Sequence, residues 1–247
     1  MRLDKFFSVT ATLSRKECAR AVRAGRVTVN GVVAGKPDWP CDPEKDKICL
    51  DGVRIGYRKY HYILLHKPDG VVSATEDGRD ETVLSLLPPE YTALGLFPCG
   101  RLDKHTTGLM LLTDDGELAH RLLSPRRHIQ KTYRYRVKFP LTAEECARFE
   151  AGLVLEDGYE TKPAGIRQED AYSGTITLTE GKYHQIKRMM LALHNQITEL
   201  RRISFGPLTL PAELAPGEWR EVNEAELAAL LDAADRNTEK DRKQTEI

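Results

Sequence analysis

The sequence predicts an α+β fold: a small basic unit at the N-terminus, then a larger domain built on a mainly antiparallel mixed sheet flanked by helices. Three observations predict it. Segments of strand character outnumber helical ones and do not alternate with them regularly, which disfavours a parallel α/β arrangement. Capping signatures mark helix starts at only a few places. Charge is uneven along the chain, although its 247 residues carry 37 Lys/Arg against 37 Asp/Glu. Residues 1–60 hold 13 basic against 7 acidic side chains, 61–214 hold 19 against 21, and 215–247 hold 5 against 9.

The first unit spans residues 1–58. Ser14-Arg15-Lys16-Glu17 has the form of a capping box, in which the serine hydroxyl accepts from an orphan backbone N–H and the glutamate reaches back. A helix is predicted from there to about Ala24, stopped by Gly25. Lys16, Arg20 and Arg23 stand at i, i+4 and i+7 and form one basic stripe, either a solvated face or a phosphate-binding one. Valine-rich runs at 27–29 and 32–33 flank Asn30-Gly31, a strong hairpin signal. Residues 37–51 read as a polar, turn-rich return and 56–60 as a linker. So small a unit buries little core alone and is expected to lean on, or be tethered to, the rest.

The larger domain is expected over 61–234, with strands at 62–66, 109–113, 131–139, 175–179 and 197–203. Thr142-x-x-Glu145 opens a helix that Gly152 ends. A second helix, over about 184–194, places Ile186, Met189 or Met190 and Leu193 on one face. Asn223-x-x-Glu226 opens the last, with Leu227, Leu230, Leu231 and Ala234 at core spacing. Residues 235–247 read as a polar C-terminal tail.

Composition excludes several function classes. No uninterrupted apolar run exceeds five residues, whereas a bilayer span needs about 20. No apolar segment follows Met1-Arg2-Leu3-Asp4-Lys5, so no signal peptide is expected and the chain is placed in the cytoplasm. The five cysteines, at 18, 41, 49, 99 and 146, show neither CxxC nor Cys/His ligand spacing. A disulfide framework and a metal site are therefore not expected. Neither a P-loop nor a dinucleotide fingerprint is present, and no cofactor is expected.

Three groups of residues are candidates for chemistry. Gly100-Arg101-Leu102-Asp103-Lys104-His105-Thr106-Thr107-Gly108 is a polar loop between glycines that leads into the apolar run Leu109-Met110-Leu111-Leu112. This puts Asp103 on a stiff support with Arg101 and Lys104 beside it, an arrangement that keeps a carboxylate ionised. A strand-connecting turn with surface ion pairs accounts for the same spacing. Next, Lys131-Thr132-Tyr133 begins a strand inside the acid-free stretch 118–143, whose seven cations (Arg121, Arg126, Arg127, Lys131, Arg134, Arg136, Lys138) form a nucleic-acid footprint. Tyr133 and Tyr135 share a strand face, suited to stacking on a base or to cross-strand packing. Last, in Glu180-Gly181-Lys182-Tyr183-His184-Gln185-Ile186-Lys187-Arg188-Met189-Met190, Lys187 and Arg188 occupy the start of a helix, where the macrodipole disfavours cations. A broken local rule points to a purpose, such as pairing with a buried carboxylate or binding phosphate. Arg201 and Arg202 add further charge before Gly206-Pro207.

In this order, Gly-Arg-Leu-Asp with Thr-Gly-Leu, Lys-Thr-Tyr and Glu-Gly-x-Tyr-His-Gln-Ile-Lys-Arg-Met resemble the RsuA/RluB/E/F branch of RNA pseudouridine synthases. The segment from Arg2-Leu3-Asp4-Lys5 through Asn30-Gly31 resembles the S4 RNA-binding domain that this branch carries. His-Gln-Ile-Lys-Arg-Met, Thr161-Lys162-Pro163-Ala164 and Leu214-Ala215-Pro216-Gly217-Glu218 are most similar to the RsuA type, which acts on small-subunit rRNA. The likeness covers about residues 1–232. One departure is His105, where the family often has an acid.

The resemblance implies an isomerase that converts a uridine of 16S rRNA, of the uridine-516 type, to pseudouridine. It implies no cofactor and no metal. The implied partner is ribosomal RNA or a ribosomal-subunit assembly intermediate, with no membrane, and the enzyme is expected to be a monomer. Asp103 matches the catalytic aspartate, attacking a carbon or removing a ribose proton. Lys187 matches its basic partner, and Tyr133 the tyrosine that packs on the uracil. For RNA contact the resemblance and the charge pattern nominate Arg101, Lys16, Arg20, Arg23, Lys131, His184, Gln185 and Arg188. Two other readings remain: a non-catalytic RNA-binding or ribosome-assembly factor with a structural Asp103, and a glycoside hydrolase pairing Asp103 with Asp114 or Asp115.

Overall fold

The protein's structure, a computed structural model, describes residues 1–124 and 129–245, the side chains of 92, 93 and 236–245 aside. Arg126, Arg127 and His128 of the cationic stretch lie outside the described residues. The fold is α+β. Contacts divide it into two compact units, Met1–His61 with Leu84–Phe97, and Tyr62–Val83 with Pro98–Ile247.

In the first unit, α1 (Leu3–Val9) buries Leu3, Phe6 and Phe7. α2 (Arg15–Arg23) starts at the predicted capping box, with Ser14 and Glu17 exchanging both hydrogen bonds. Cys18, Ala21 and Val22 of α2 join the same core, while Lys16, Arg20 and Arg23 lie on the exposed side. β1 (Val27–Val29) and β2 (Val32–Val33) form the predicted hairpin, with Asn30 at φ 52° and Gly31 at φ 83°. The return over 37–51 is not all turn. Its Ile48–Leu50 forms β3, which pairs with β1 inside the sheet, and β4 (Val53–Arg54) follows, giving the order β2-β1-β3-β4. A polar lead-in hid this strand, and the signal for it was Asp51-Gly52, a second two-residue hairpin turn. The inserted segment Leu84–Phe97 contains a 3₁₀ turn, Pro89–Leu94, that packs against α1.

The second unit is built on β5 (Tyr62–Lys67), β6 (Phe97–Pro98), β7 (Thr107–Thr113), β8 (Lys131–Val137), β9 (Gly165–Gln168), β10 (Ser173–Leu178), β11 (Ile197–Phe205), β12 (Leu208–Thr209) and β13 (Trp219–Glu221). The sheet runs β13-β5-β7-β11-β8-β10-β9. Along this order, pairing is antiparallel except where β11 lies parallel to β7, with Gly108 opposite Arg202. Burial is nearly continuous along β5 and β7, as for strands covered on both faces, and alternates along β10. One face of β8, β10 and β11 carries a core of Tyr135, Val137, Ile176, Leu178 and Leu200. α4 (Ala143–Ala151) and α5 (Gln185–Ala192) close it with Phe149, Ile186, Met189 and Met190.

Two further elements differ from the sequence expectation. No helix was expected after the strand at 109–113, yet there Asp115 caps α3 (Gly116–Leu123), accepting from the Leu118 N–H at 2.9 Å and from the Tyr62 hydroxyl at 2.7 Å. A buried capping carboxylate of this kind does not serve as half of a glycosidase pair. α6 (Glu224–Thr245) starts at the predicted Asn223 cap and continues through most of the segment assigned to a tail.

Candidate active site

Asp103 sits on a loop held from behind by buried side chains. Lys67, at the end of β5 and fully buried, donates at 3.0 Å to the carbonyls of Pro68, Lys104 and Thr106. Ser73 takes both backbone groups of Leu102, donating to its carbonyl at 2.8 Å and accepting its N–H at 3.0 Å. Thr106 N–H closes a tight turn onto the Asp103 carbonyl. Gly108 ends the loop at φ 105°, where a Cβ would stand 2.7 Å from the Arg202 backbone nitrogen. The Asp103 carboxylate, with 27% of its side chain exposed, is thus the accessible part of a braced loop.

The opposite wall is the start of α5. Lys187 Nζ lies 2.8 Å from Asp103 Oδ2, and His184 Nε2 lies 3.5 Å from Oδ1. α5 begins badly by local rules. His184 is left-handed at φ 49°, ψ 31°, and makes no side-chain cap bond. Such strain costs about 1–3 kcal/mol, and each misplaced cation about 0.3–1 kcal/mol. Burial of Ile186, Met189 and Met190 contributes about 1.5–3 kcal/mol each and outweighs both. Tertiary packing therefore fixes α5 and leaves its first turn free to meet Asp103. The ring of Tyr183 stacks on that of His184, with centroids 3.8 Å apart and planes 17° apart.

The other nominated residues divide. Arg101 is exposed beside Asp103, but Lys104 pairs with Asp80 at 2.7 Å rather than with the catalytic candidate. Tyr133 stands on β8 opposite Arg202, half-buried against the core. Three residues nominated for RNA have protein partners. Lys131 turns its amine inward, donating to the Ile129 carbonyl at 3.2 Å near the Phe205 ring, and burial lowers its pKa to about 8. Gln185 is buried, donating to Glu180 and accepting from the Lys182 N–H. Arg188 pairs with Asp157 at 2.5 Å. Neither the charge pattern nor the resemblance that nominates Lys131 and Gln185 reports the direction of a side chain. Arg202 corrects the sequence picture in the same way: 1% exposed, it donates to the Leu109 carbonyl at 2.7 Å instead of adding surface charge.

Sequence reasoning missed Lys67, Ser73 and Tyr183. For Lys67 a signal existed, because it directly follows the expected strand 62–66 and precedes a proline. Nothing in the pattern marks Ser73.

A braced aspartate paired with a lysine from a distant helix, on a mixed sheet with a separate small basic unit, describes a class of RNA-modifying enzyme, and sequence and structure comparisons agree with it. The pattern of the RNA pseudouridylate synthase family matches residues 61–192, and that of the S4 domain matches residues 1–54. The chain is 44% identical to the uncharacterised RNA pseudouridine synthase YtzG of Bacillus subtilis (strain 168), over 93% of its length and 98% of the relative's. It is 40% identical to the ribosomal small subunit pseudouridine synthase A of Escherichia coli (strain K12), over 94% of its length and 100% of the relative's. A crystal structure of a pseudouridylate synthase superposes with a TM-score of 0.66 at 34% identity, covering 93% of this chain and 99% of the other. The chain belongs to the RNA pseudouridylate synthase family, in its RsuA type, with an S4 domain ahead of the synthase domain.

Proposed function

We propose that this enzyme isomerises one specific uridine of small-subunit 16S rRNA to pseudouridine, with Asp103 as the essential carboxylate. The observation that carries this reading is the 2.8 Å ion pair between Lys187 and a partly exposed Asp103. In the reaction the N1–C1′ bond breaks, the uracil turns, and C5 bonds to C1′. The proton lost from C5 balances the one gained at N1, so no co-reactant is needed. Asp103 works either by attack at C1′ or by removing a ribose proton, and its partner keeps it in place for either route. Tyr133 is assigned to pack on the uracil.

The target must leave its stack to reach Asp103, so the substrate is a flipped or unpaired uridine. Residues 1–58 act as the RNA-binding domain, 61–234 as the catalytic domain and 235–247 as a polar extension. Lys16, Arg20 and Arg23 contact phosphates, and Arg101 and His184 meet the RNA beside Asp103. The substrate is rRNA, free or in an assembly intermediate, and the enzyme works as a cytoplasmic monomer in ribosome biogenesis. This reading is preferred over a non-catalytic assembly factor because such a protein has no use for a braced carboxylate held by a cation.

The test is a map of pseudouridines in 16S rRNA from cells with and without the protein, repeated with Asp103→Asn. One uridine should lose modification in the absence of the wild type and stay unmodified with the variant, which folds and binds RNA. Unchanged modification in either case refutes the assignment.

A further inference from the structure

Beside the Asp103–Lys187 pair lies a cleft of about 250 Å³, lined by His184, Lys187, Arg188, Leu191, Gln196 and Ile197. We propose that this cleft and the Tyr183–His184 stack form a subsite for an unpaired nucleotide flanking the target, whose base lies on the Tyr183 ring. The proposal rests on the rRNA reading above and deepens it.

Several features fit that occupant. Leu191, 59% exposed, puts apolar surface on the cleft wall, and Tyr183, 77% exposed and stacked on the lining residue His184, presents its ring to solvent. The Tyr183 ring is braced on its inner face by the imidazole, leaving its outer face open to a base. Bases stack on such platforms with little regard to sequence. Lys187 and Arg188 line the cleft with their charges already met by Asp103 at 2.8 Å and Asp157 at 2.5 Å, so the subsite holds its nucleotide by stacking rather than by phosphate charge. His184 belongs both to the stack and to the Asp103 contact, so the subsite is continuous with the catalytic carboxylate.

The cleft does not suit the target uracil itself. Tyr133 is in register with Arg202, whereas Ile197 is in register with Val137, four residues further along β8. At about 3.3 Å per residue that sets the Ile197 end of the cleft roughly 13 Å along the strand from Tyr133, while the His184 and Lys187 end meets Asp103, so the cleft leads away from the target base. A flanking nucleotide fits there.

The test uses a stem-loop RNA carrying the target, and versions with a single abasic site at each nucleotide on either side of it. Kd is measured by fluorescence anisotropy, and kcat and KM by pseudouridine formation. Tyr183→Ala should raise Kd and KM about five- to tenfold, toward the low end for loss of one base stack, with kcat within about twofold. Tyr183→Phe should behave as wild type, and Leu191→Glu should weaken binding by placing negative charge on the cleft wall. An abasic site at one flanking position should weaken wild-type binding to the same degree and add nothing to Tyr183→Ala. An unchanged Kd for Tyr183→Ala, full additivity with every abasic site, or a fall in kcat at constant KM each overturns the subsite. If the Kd pattern appears but the wild type forms no pseudouridine, the subsite stands as an RNA site and the functional reading falls instead.

Discussion

Lys187 Nζ meets Asp103 Oδ2 at 2.8 Å, joining the first turn of α5 to the loop before β7. A lysine there is unfavourable for the helix and useful to the carboxylate. Lys187→Met should leave the fold intact, because α5 is held by Ile186, Met189 and Met190. It should lower kcat by about 10²–10³, the usual effect of removing one preorganised charge partner, and Lys187→Arg should recover part of the loss. Wild-type turnover by Lys187→Met would separate the ion pair from catalysis.

Lys67 braces the same loop from below. Replacing it with methionine leaves the carbonyls of Pro68, Lys104 and Thr106 without their donor. The expected destabilisation is about 1–3 kcal/mol in denaturant unfolding, reduced by whatever burial of the charge costs. Activity should fall with it, since Asp103 then rides on a looser loop. A variant as stable and active as wild type would show that the clamp is dispensable.

Stability should pass through a maximum in mild alkali. Burial pushes the Lys67 and Lys131 amines down to about 8. The unfolded chain keeps those protons until about 10.4, so above pH ~8 it binds more protons than the folded state and stability rises. Buried thiols act the other way. Burial pushes Cys18 up to about 11 and Cys99 up to about 12, while free thiols ionise near 8.5, so stability falls above that value. Melting temperature should therefore rise from pH 7.5 to about 8.5, flatten while the two lysines and two thiols offset each other, and decline beyond about 10. Lys131→Met should shrink the rise and Cys99→Ala the decline; a steady fall from pH 7 would contradict the lysine assignments.

Gly108→Ala should fail to fold or unfold far below the wild-type temperature. At φ 105° an added Cβ meets Arg202 backbone, with the nitrogen 2.7 Å away, where β7 and β11 run parallel. Relief needs separation of two strands at the middle of the sheet, a cost of several kcal/mol. Thermal melts of the purified variant check this.

The stripe on α2 should show in salt dependence. Replacing Lys16, Arg20 and Arg23 together by alanine should leave kcat at saturating RNA near the wild-type value. It should reduce the slope of log Kobs against log[salt] by about 2, the share of three phosphate contacts. An unaltered slope would mean that this face does not meet RNA.

Much of the architecture was legible in the sequence because its signals are local. The capping boxes at Ser14 and Thr142, the Asn30-Gly31 turn and the continuous apolar run from Leu109 to Leu112 each specify their own geometry within a few residues. The ordered motifs around Asp103, Tyr133 and Lys187 identified the family for the same reason, since each is a contiguous string. β3 and α3 escaped because they are short, three and eight residues, and their flanks are polar.

The sequence by itself determined those helices and strands that carry their own caps, turns and apolar runs, and which residue types are available for chemistry. The tertiary structure alone decided which way the charges point. Lys187 turns to Asp103, while Lys131 and Arg202, cations on neighbouring strands, turn into the protein. Direction depends on what the sheet and helices bring within a few ångströms from elsewhere in the chain, and no local pattern encodes a distance between residues so far apart in sequence.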